Sequence, residues 1–278
     1  MLTFVPTPIG NLEDITLRTL RVLEESEVVL CEDTRVTSSL LRLLENRGYL
    51  RSFSAELMPV HSHNECGFLE NVTSDFFERN VLYMCDAGTP CISDPGAALV
   101  RFVQEYQIPY TVLPGANAPL TIFAASGSTH KEFLFYGFLP SKQQERKSEF
   151  ERLLSLGIDV IFYESPHRLL ESLQDLERVQ KRAEIFVAKE MTKHFETFYK
   201  GQVGHVLKSL SAKEIRGEWA FMVYGCPLHE EYVLRGSDIE ALNLPPKVVA
   251  KIIAKMTGID VKKCYECVIH GQNPLHQE

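Results

Sequence analysis

The sequence lacks the features that mark membrane-embedded and secreted proteins. Its most apolar stretch, residues 112–125, is interrupted by two prolines and a glycine and is shorter than the roughly 20 apolar residues that cross a bilayer. Seven cysteines, an odd number, are scattered along the 278 residues, which predicts reduced thiols rather than a disulfide framework. No basic segment followed by an apolar one opens the sequence, because Pro6 and Pro8 come too early. We therefore expect a cytoplasmic protein without a signal peptide or membrane contact.

Positive charge is also scarce. Lysine and arginine total 29 against 37 aspartates and glutamates, which gives a net charge of −8. This charge excludes a protein that binds bare nucleic acid through its overall positive charge. Any nucleic-acid contact must be local. The hydrophobic fraction of 45% and charged fraction of 24% are those of ordinary globular proteins, and the length predicts about two domains.

Apolar runs alternate with amphipathic stretches, which is typical of βα units and a largely parallel sheet in an α/β protein. The small-residue stretch 118–130 separates two groups of runs and predicts domains at 1–118 and 119–226, followed by a helical tail at 227–278. The predicted strands are Leu2–Val5, Val28–Cys31, Val81–Cys85, Tyr110–Leu113, Phe133–Phe138, Asp159–Tyr163, Glu184–Ala188 and Trp219–Tyr224.

The tail carries most of the clustered positive charge. Apolar residues at helical spacing after Pro246, closed by Gly258, predict an amphipathic helix. Lys247, Lys251 and Lys255, here called the lysine stripe, share one face of it. Residues 247–263 hold five lysines against one aspartate. A solvated helix face and a phosphate-contacting patch both explain this pattern.

Polar residues follow several predicted strands, at the sheet edge where open α/β folds bind ligands. The second strand runs into Glu32-Asp33-Thr34-Arg35, where an ion pair between Arg35 and either acid explains the cluster as well as catalysis does. The third strand runs into the small-residue loop 86–96, in which Asp86 has no evident structural role. Asp94, before Pro95, fits a helix cap.

Five segments stand in a fixed order. They are PTPIGNLEDIT at 6–16, CEDTR at 31–35, DAGTP with SDPG within 86–96, LPG at 113–115 and FYESPHR at 162–168. Together they resemble the bacterial ribosomal RNA cytidine 2'-O-methyltransferases of the tetrapyrrole methylase-like superfamily, over about residues 2–270.

The resemblance implies a two-domain enzyme that holds S-adenosylmethionine between its domains, usually as a homodimer. It implies methylation of a cytidine ribose in 16S ribosomal RNA, either as RNA or as part of the small ribosomal subunit. The positions that match cofactor contacts are Pro8, Asp86, Ala87, Gly88, Ile92, Ala116, Asn117, Glu164, Met191 and Ala220.

This sequence also departs from the family pattern. Val36 stands where histidine is common, Asn117 replaces a small residue and Lys189 stands where arginine is usual. The change at Val36 puts any histidine-dependent role at that position in doubt.

Methyl transfer to a ribose hydroxyl needs a base, because the hydroxyl is a poor nucleophile until it loses its proton. Our candidates are Glu32, Asp33 and Glu164, and we expect Arg35, His63 and the lysine stripe to contact substrate. The absence of a Gly-x-Gly turn after a strand argues against the commoner Rossmann methyltransferase fold.

Two other functions stay open: methylation of a carbon in a tetrapyrrole precursor, and a non-catalytic regulator that binds S-adenosylmethionine. The basic tail and the CEDTR segment favour RNA over a tetrapyrrole. No metal is expected, since His61, His63 and Glu65 offer too few ligands and no second cluster completes them. Cys264 and Cys267 lack a redox context, and we interpret them as helix core.

Overall fold

The computed structural model describes residues 1–225 and 244–270. The chain divides into two compact units, residues 1–225 and 226–278. Of the predicted 227–278 tail, only residues 244–270 are therefore covered here, and the domain boundary predicted near residue 118 stays a prediction.

The first sheet is entirely parallel and has the order β3-β2-β4-β1-β5. Residues on its two faces pack into separate apolar cores, against α3 and α4 on one side and α1 and α2 on the other. Its elements are β1 (Leu2–Val5), α1 (Leu17–Glu24), β2 (Val28–Cys31), α2 (Thr34–Asn46), β3 (Glu56–Pro59), α3 (Glu65–Asn71), β4 (Val81–Met84), α4 (Ala97–Glu105) and β5 (Tyr110–Val112).

The second sheet is mixed and has the order β6-β7-β10-β8-β9. Strand β10 is antiparallel to both of its neighbours, and β9 is antiparallel to β8. Its elements are α5 (Ala118–Ser126), β6 (Phe133–Phe138), α6 (Gln143–Leu154), β7 (Asp159–Glu164), α7 (Leu169–Val179), β8 (Glu184–Lys189), β9 (Thr197–Gln202), α8 (Val203–Ser211) and β10 (Trp219–Val223).

Helix α5 packs on the second sheet, although it follows directly on the first. Ile122 of this helix is fully buried among side chains of β7, β8 and β10. The opposite face of the same sheet packs against α6, α7 and α8. The predicted α/β class, with two helix-flanked sheets and a helical C-terminal region, is confirmed.

The sequence pattern did not predict two of the strands. Strands β3 and β9 each lie at the edge of a sheet, and both expose much of their surface to solvent. An edge strand needs no continuous apolar run, because only part of its surface is buried. Its hydrophobic signal is correspondingly weak.

The described part of the second unit contains two helices, α9 (Pro246–Thr257) and α10 (Val261–Ile269). They pack through Ala250, Ala254 and Cys264, and Cys267 is also buried. The core interpretation of both cysteines is confirmed. Gly258 ends α9 in the left-handed conformation, with φ of 73°, as the sequence predicts.

Within residues 1–225 and 244–270, no helix has the length and apolar character required to span a membrane.

Candidate active site

Three loops meet at the carboxyl edge of the first sheet. Thr7, after β1, exchanges two backbone hydrogen bonds with Gly88, after β4, at 2.9 and 3.1 Å. The Thr89 hydroxyl donates to the carbonyl oxygen of Ala116, after β5, at 3.0 Å. Gly88 has φ of +83°, a conformation that glycine alone adopts without strain. The three turns are therefore joined by hydrogen bonds into one continuous surface at this edge of the sheet.

The turn after β1 also contacts the second lobe, which carries the second sheet. A Cβ on Gly10 would lie 2.8 Å from the carbonyl oxygen of Met191 and 2.7 Å from Thr192 Oγ1. The backbone amide of Asn11 donates to the same Thr192 hydroxyl at 3.2 Å. Glycine is required at position 10 because the turn after β1 and the segment at residues 191–192 approach so closely.

A cavity of about 400 Å³ lies between the two sheets. Residues of both lobes border it, and its lining includes seven of the ten positions predicted to bind cofactor: Ala87, Gly88, Ile92, Asn117, Glu164, Met191 and Ala220.

The other three predicted cofactor positions do not line this cavity. Each of them, Pro8, Asp86 and Ala116, is the immediate chain neighbour of a residue that does. The amide of Gly88 donates a hydrogen bond to the carbonyl oxygen of Thr7.

Asp86 and the predicted catalytic Glu32 are near neighbours at the ends of β4 and β2. Burial raises the pKa of both carboxyls, and the charge of Asp86 raises that of Glu32 further. Asp86 Oδ1 accepts a hydrogen bond from the amide of Asp33 at 3.3 Å. Neither Glu32 nor Asp33 lines the cavity.

Asp33 has a structural role. Its carboxylate caps α2 by accepting from the Arg35 amide at 2.8 Å and pairs with the Arg35 guanidinium at 2.6 Å. These hydrogen bonds from Arg35 lower the pKa of Asp33 to about 2. Of the two explanations open from sequence, the Asp33–Arg35 ion pair is present, and Arg35 is otherwise exposed.

Glu164 ends β7 at the cavity wall and is only 2% exposed. One carboxylate oxygen accepts from the Ser165 amide at 2.9 Å, and the other accepts from the Ser172 hydroxyl at 2.6 Å. The guanidinium of Arg168 lies 3.5 Å from the second oxygen. Both oxygens are therefore engaged within the protein.

Asp94 borders the cavity and was missed as a site residue. The prediction that Asp94 caps a helix is wrong: α4 begins at Ala97, and its cap is Gly96 in the left-handed conformation, with no side-chain hydrogen bond. Burial first, and then the charges of Glu32 and Asp86, raise the pKa of Asp94 to about 6. Nothing in the Ser-Asp-Pro-Gly sequence indicates that the helix begins after Gly96 rather than at Pro95.

An aromatic pair forms one rim of the cavity, and it too went unpredicted. Phe138 is 59% exposed as a residue, and its ring meets that of Tyr163 edge-on, with centroids 5.6 Å apart. The chain after Phe138 is held by arginines, since Arg168 donates to the carbonyls of Leu139 and Pro140 at 2.9 Å. The exposed ring of Phe138 therefore lies next to a segment that hydrogen bonds hold in place.

The predicted substrate contacts lie at the surface. His63 and the lysine stripe are exposed, whereas Glu65 is buried and accepts from the amide of Leu99, at the start of α4, at 3.1 Å. No group of three or more His, Cys, Asp or Glu side chains suited to a metal ion occurs among residues 1–225 and 244–270.

Comparison with known sequences gives strong matches. A family model for tetrapyrrole (corrin/porphyrin) methylases matches residues 1–207. A Helicobacter pylori protein named ribosomal RNA small subunit methyltransferase I is 43% identical, covering 95% of this chain and 96% of its own. Proteins of the same name from Campylobacter fetus, at 42% identity, and Escherichia coli O157:H7, at 36%, cover 97% and 98% of this chain and 100% and 95% of their own.

Solved structures share the fold at low sequence identity. Uroporphyrin-III C-methyl transferase from Thermus thermophilus, complexed with S-adenyl homocysteine, superimposes with a TM-score of 0.54 at 17% identity, covering 80% of this chain and 96% of that one. The methyltransferase CobJ gives 0.56 at 16% identity, with 81% and 93% covered. The resemblance drawn from the five ordered segments is confirmed, and the chain belongs to the tetrapyrrole (corrin/porphyrin) methylase family.

Proposed function

We propose that this protein is an S-adenosylmethionine-dependent methyltransferase that methylates the 2'-oxygen of a cytidine in small-subunit ribosomal RNA. The observation that carries the proposal is the 43% identity, over 95% of the chain, to a protein named ribosomal RNA small subunit methyltransferase I. The cavity between the sheets supports it by supplying a site of suitable size and chemistry.

The residues of the cavity fit S-adenosylmethionine. Its volume of about 400 Å³ lies in the range of small-molecule sites. Small side chains in the lining leave space for a ligand, and Met191 adds apolar surface. These small residues are Ala87, Gly88, Ala188 and Ala220. When bound, this group supplies an electrophilic methyl on a positively charged sulfur. Asn117, whose side chain also caps α5, adds polarity beside the small residues.

The protein contributes orientation and exclusion of water, because methyl transfer is a direct displacement that needs aligned reactants. Glu164 accepts hydrogen bonds at both carboxylate oxygens, and these bonds hold the cavity lining in place at the end of β7. Phe138 offers an exposed ring at the rim, and proteins that bind single-stranded RNA stack unpaired bases on such rings. We infer that the target cytosine stacks on Phe138.

Several parts of the proposal come from the sequence analysis. Glu32, Asp33 and Glu164 as possible bases, Arg35 and His63 as RNA contacts, the homodimer and the cytoplasmic location all stay predictions. The exposed lysine stripe fits a local phosphate contact on an otherwise acidic protein.

A tetrapyrrole substrate is the rival suggested by the solved structures, but those at 16–17% identity share the fold alone. One assay separates the possibilities. Small ribosomal subunits from a strain without this gene are incubated with the protein and methyl-labelled S-adenosylmethionine, and the RNA is digested to nucleosides for mass spectrometry.

We expect the label in 2'-O-methylcytidine. Uroporphyrinogen III, added in a parallel reaction, should remain unlabelled. Label in the tetrapyrrole alone would support the rival enzyme, and binding of S-adenosylmethionine with no labelled acceptor would support the regulator.

A further inference from the structure

We propose that Asp94 is the catalytic base that accepts the proton of the ribose 2'-hydroxyl. This inference rests on the proposed function and deepens it, because it assigns the base to a residue of the cavity that the sequence pattern predicted to cap a helix.

The position of Asp94 is the first support. It borders the cavity on a loop where Cys91 and Ser93 adopt positive φ of 70° and 67°. Non-glycine residues in this conformation carry strain that the surrounding structure must hold, and such strain concentrates at functional sites. Since Gly96 is the helix cap, the loop presents Asp94 to the cavity without using it for the helix.

The loop also faces the second lobe at the aromatic rim. A Cβ on Gly137 would lie 3.4 Å from Ser93 Oγ, which places the residue before Asp94 against the end of β6. Phe138, the next residue on that strand, and its partner Tyr163 border the same cavity as Asp94. Asp94 and the ring on which we infer that the target base stacks therefore border one cavity, and the loop of Asp94 contacts the strand that carries this ring.

The other carboxyls of the cavity lining are committed elsewhere. Glu164 uses both oxygens within the protein. Glu218 is 74% exposed and lies 3.0 Å from Lys193 Nζ. Among the described residues, the ion pairs of the cavity lining involve Glu164 and Glu218 rather than Asp94, so the carboxylate of Asp94 is available to a hydroxyl.

The surroundings also adjust the basicity of Asp94. Burial and the charges of Glu32 and Asp86 raise its pKa to about 6, against a hydrogen bond with the Cys85 thiol that lowers it. Burial, and then neighbouring charges that include Asp94, raise the pKa of the Cys91 thiol and of the Tyr163 phenol, so these two groups also lie near Asp94. At pH 7.5 Asp94 is therefore mostly ionised yet more basic than an ordinary aspartate, as a general base should be.

The step balances in atoms and electrons. The ribose oxygen forms a bond to the methyl carbon, the bond from that carbon to sulfur breaks, and its electron pair stays on sulfur. The hydroxyl proton passes to the carboxylate of Asp94 and leaves to solvent after product release.

The test compares Asp94→Asn, which keeps the shape and removes the base, with Asp94→Glu and with Asp75→Asn, an exposed aspartate outside the cavity. We expect Asp94→Asn to lower kcat on small subunits at least 100-fold. Its affinity for S-adenosylmethionine, measured by calorimetry, should stay within threefold of wild type. Asp94→Glu should keep at least ten times the turnover of the asparagine variant, and Asp75→Asn should match wild type.

Two pH readouts complete the test. For wild type, kcat/KM should fall about tenfold per pH unit below about 6, because a protonated Asp94 accepts no proton, and Asp94→Asn should lose this limb. Without substrate or cofactor, NMR of the protein labelled at the aspartate carboxyl carbons should show a titration near pH 6 that Asp94→Asn abolishes.

If wild type methylates no ribosomal RNA, the proposed function fails. If wild type is active but Asp94→Asn keeps kcat within threefold, keeps the limb near pH 6 or loses cofactor affinity in parallel with kcat, the assignment of Asp94 is overturned.

Discussion

A buried ion pair that is linked to the segment after Phe138 provides the sharpest test of how the cavity is held in shape. Arg146 and Asp175 are both fully buried, and Asp175 Oδ2 accepts from the Arg146 guanidinium at 2.6 and 2.9 Å. Arg146 also donates to the carbonyl of Ser141 at 3.1 Å, in the segment that follows Phe138. Removing Asp175 therefore affects both stability and the rim.

The expected loss follows from the burial of Arg146. Asp175→Ala leaves a guanidinium in the interior with only Glu171, itself half exposed, as a charged partner. Removing one partner of a buried pair costs roughly 3–5 kcal/mol, a large part of the roughly 5–15 kcal/mol that stabilises a typical protein. The double variant Arg146→Met/Asp175→Leu removes the charges of both fully buried side chains, so it should recover at least half of the loss.

Urea unfolding monitored by circular dichroism measures these differences, with kcat and KM on small subunits recorded in parallel. The surface pair of Glu149 and Arg152 supplies the control, since Arg152→Ala should cost less than about 1 kcal/mol. A cost below about 1 kcal/mol for Asp175→Ala, or a double variant no more stable than the single one, would refute the reasoning. We also expect Asp175→Ala to raise KM more than it lowers kcat, because the chain holding Phe138 loosens.

Three further predictions concern the ligands. Gly88→Val should weaken S-adenosylmethionine binding more than tenfold in calorimetry, because the added Cβ already lies 3.4 Å from the Ile9 side chain and the two methyl groups of valine would occupy part of the cavity that Gly88 lines. Gly48→Val, at a similar φ of +74° with nothing within 4 Å, should lose stability but keep the affinity; equal losses would attribute the effect to backbone strain alone. Phe138→Ala should raise KM for small subunits about tenfold, consistent with roughly 1–3 kcal/mol for a stacked base, whereas Phe195→Ala, also exposed, should not; an unchanged KM would remove the stacking role. Replacing the lysine stripe with glutamines should weaken substrate binding and reduce the dependence of log Kd on log salt by up to about three, and an unaltered salt slope would make the stripe a solvated face.

The sequence by itself determined most of the central strands, the tail helix and the family. Buried strands such as β2 and β4 need continuous apolar runs because both of their faces are covered. Such runs can be recognised directly in the amino-acid sequence. The segments at strand ends could likewise be assigned to a site, because the carboxyl ends of parallel strands meet at one edge of a sheet. Seven of the ten predicted cofactor positions line one cavity for this reason.

Only the tertiary structure decided which polar residues face that cavity. The letters CEDTR and SDPG are similar in kind, yet Asp33 caps a helix whereas Asp94 does not and borders the cavity. The difference arises from where each helix begins and from which loops of the second lobe approach, such as the strand end at Phe138. Contacts between residues that are far apart along the chain leave no local pattern in a single sequence, so burial, pKa and the contacts between the two lobes follow from the folded chain alone.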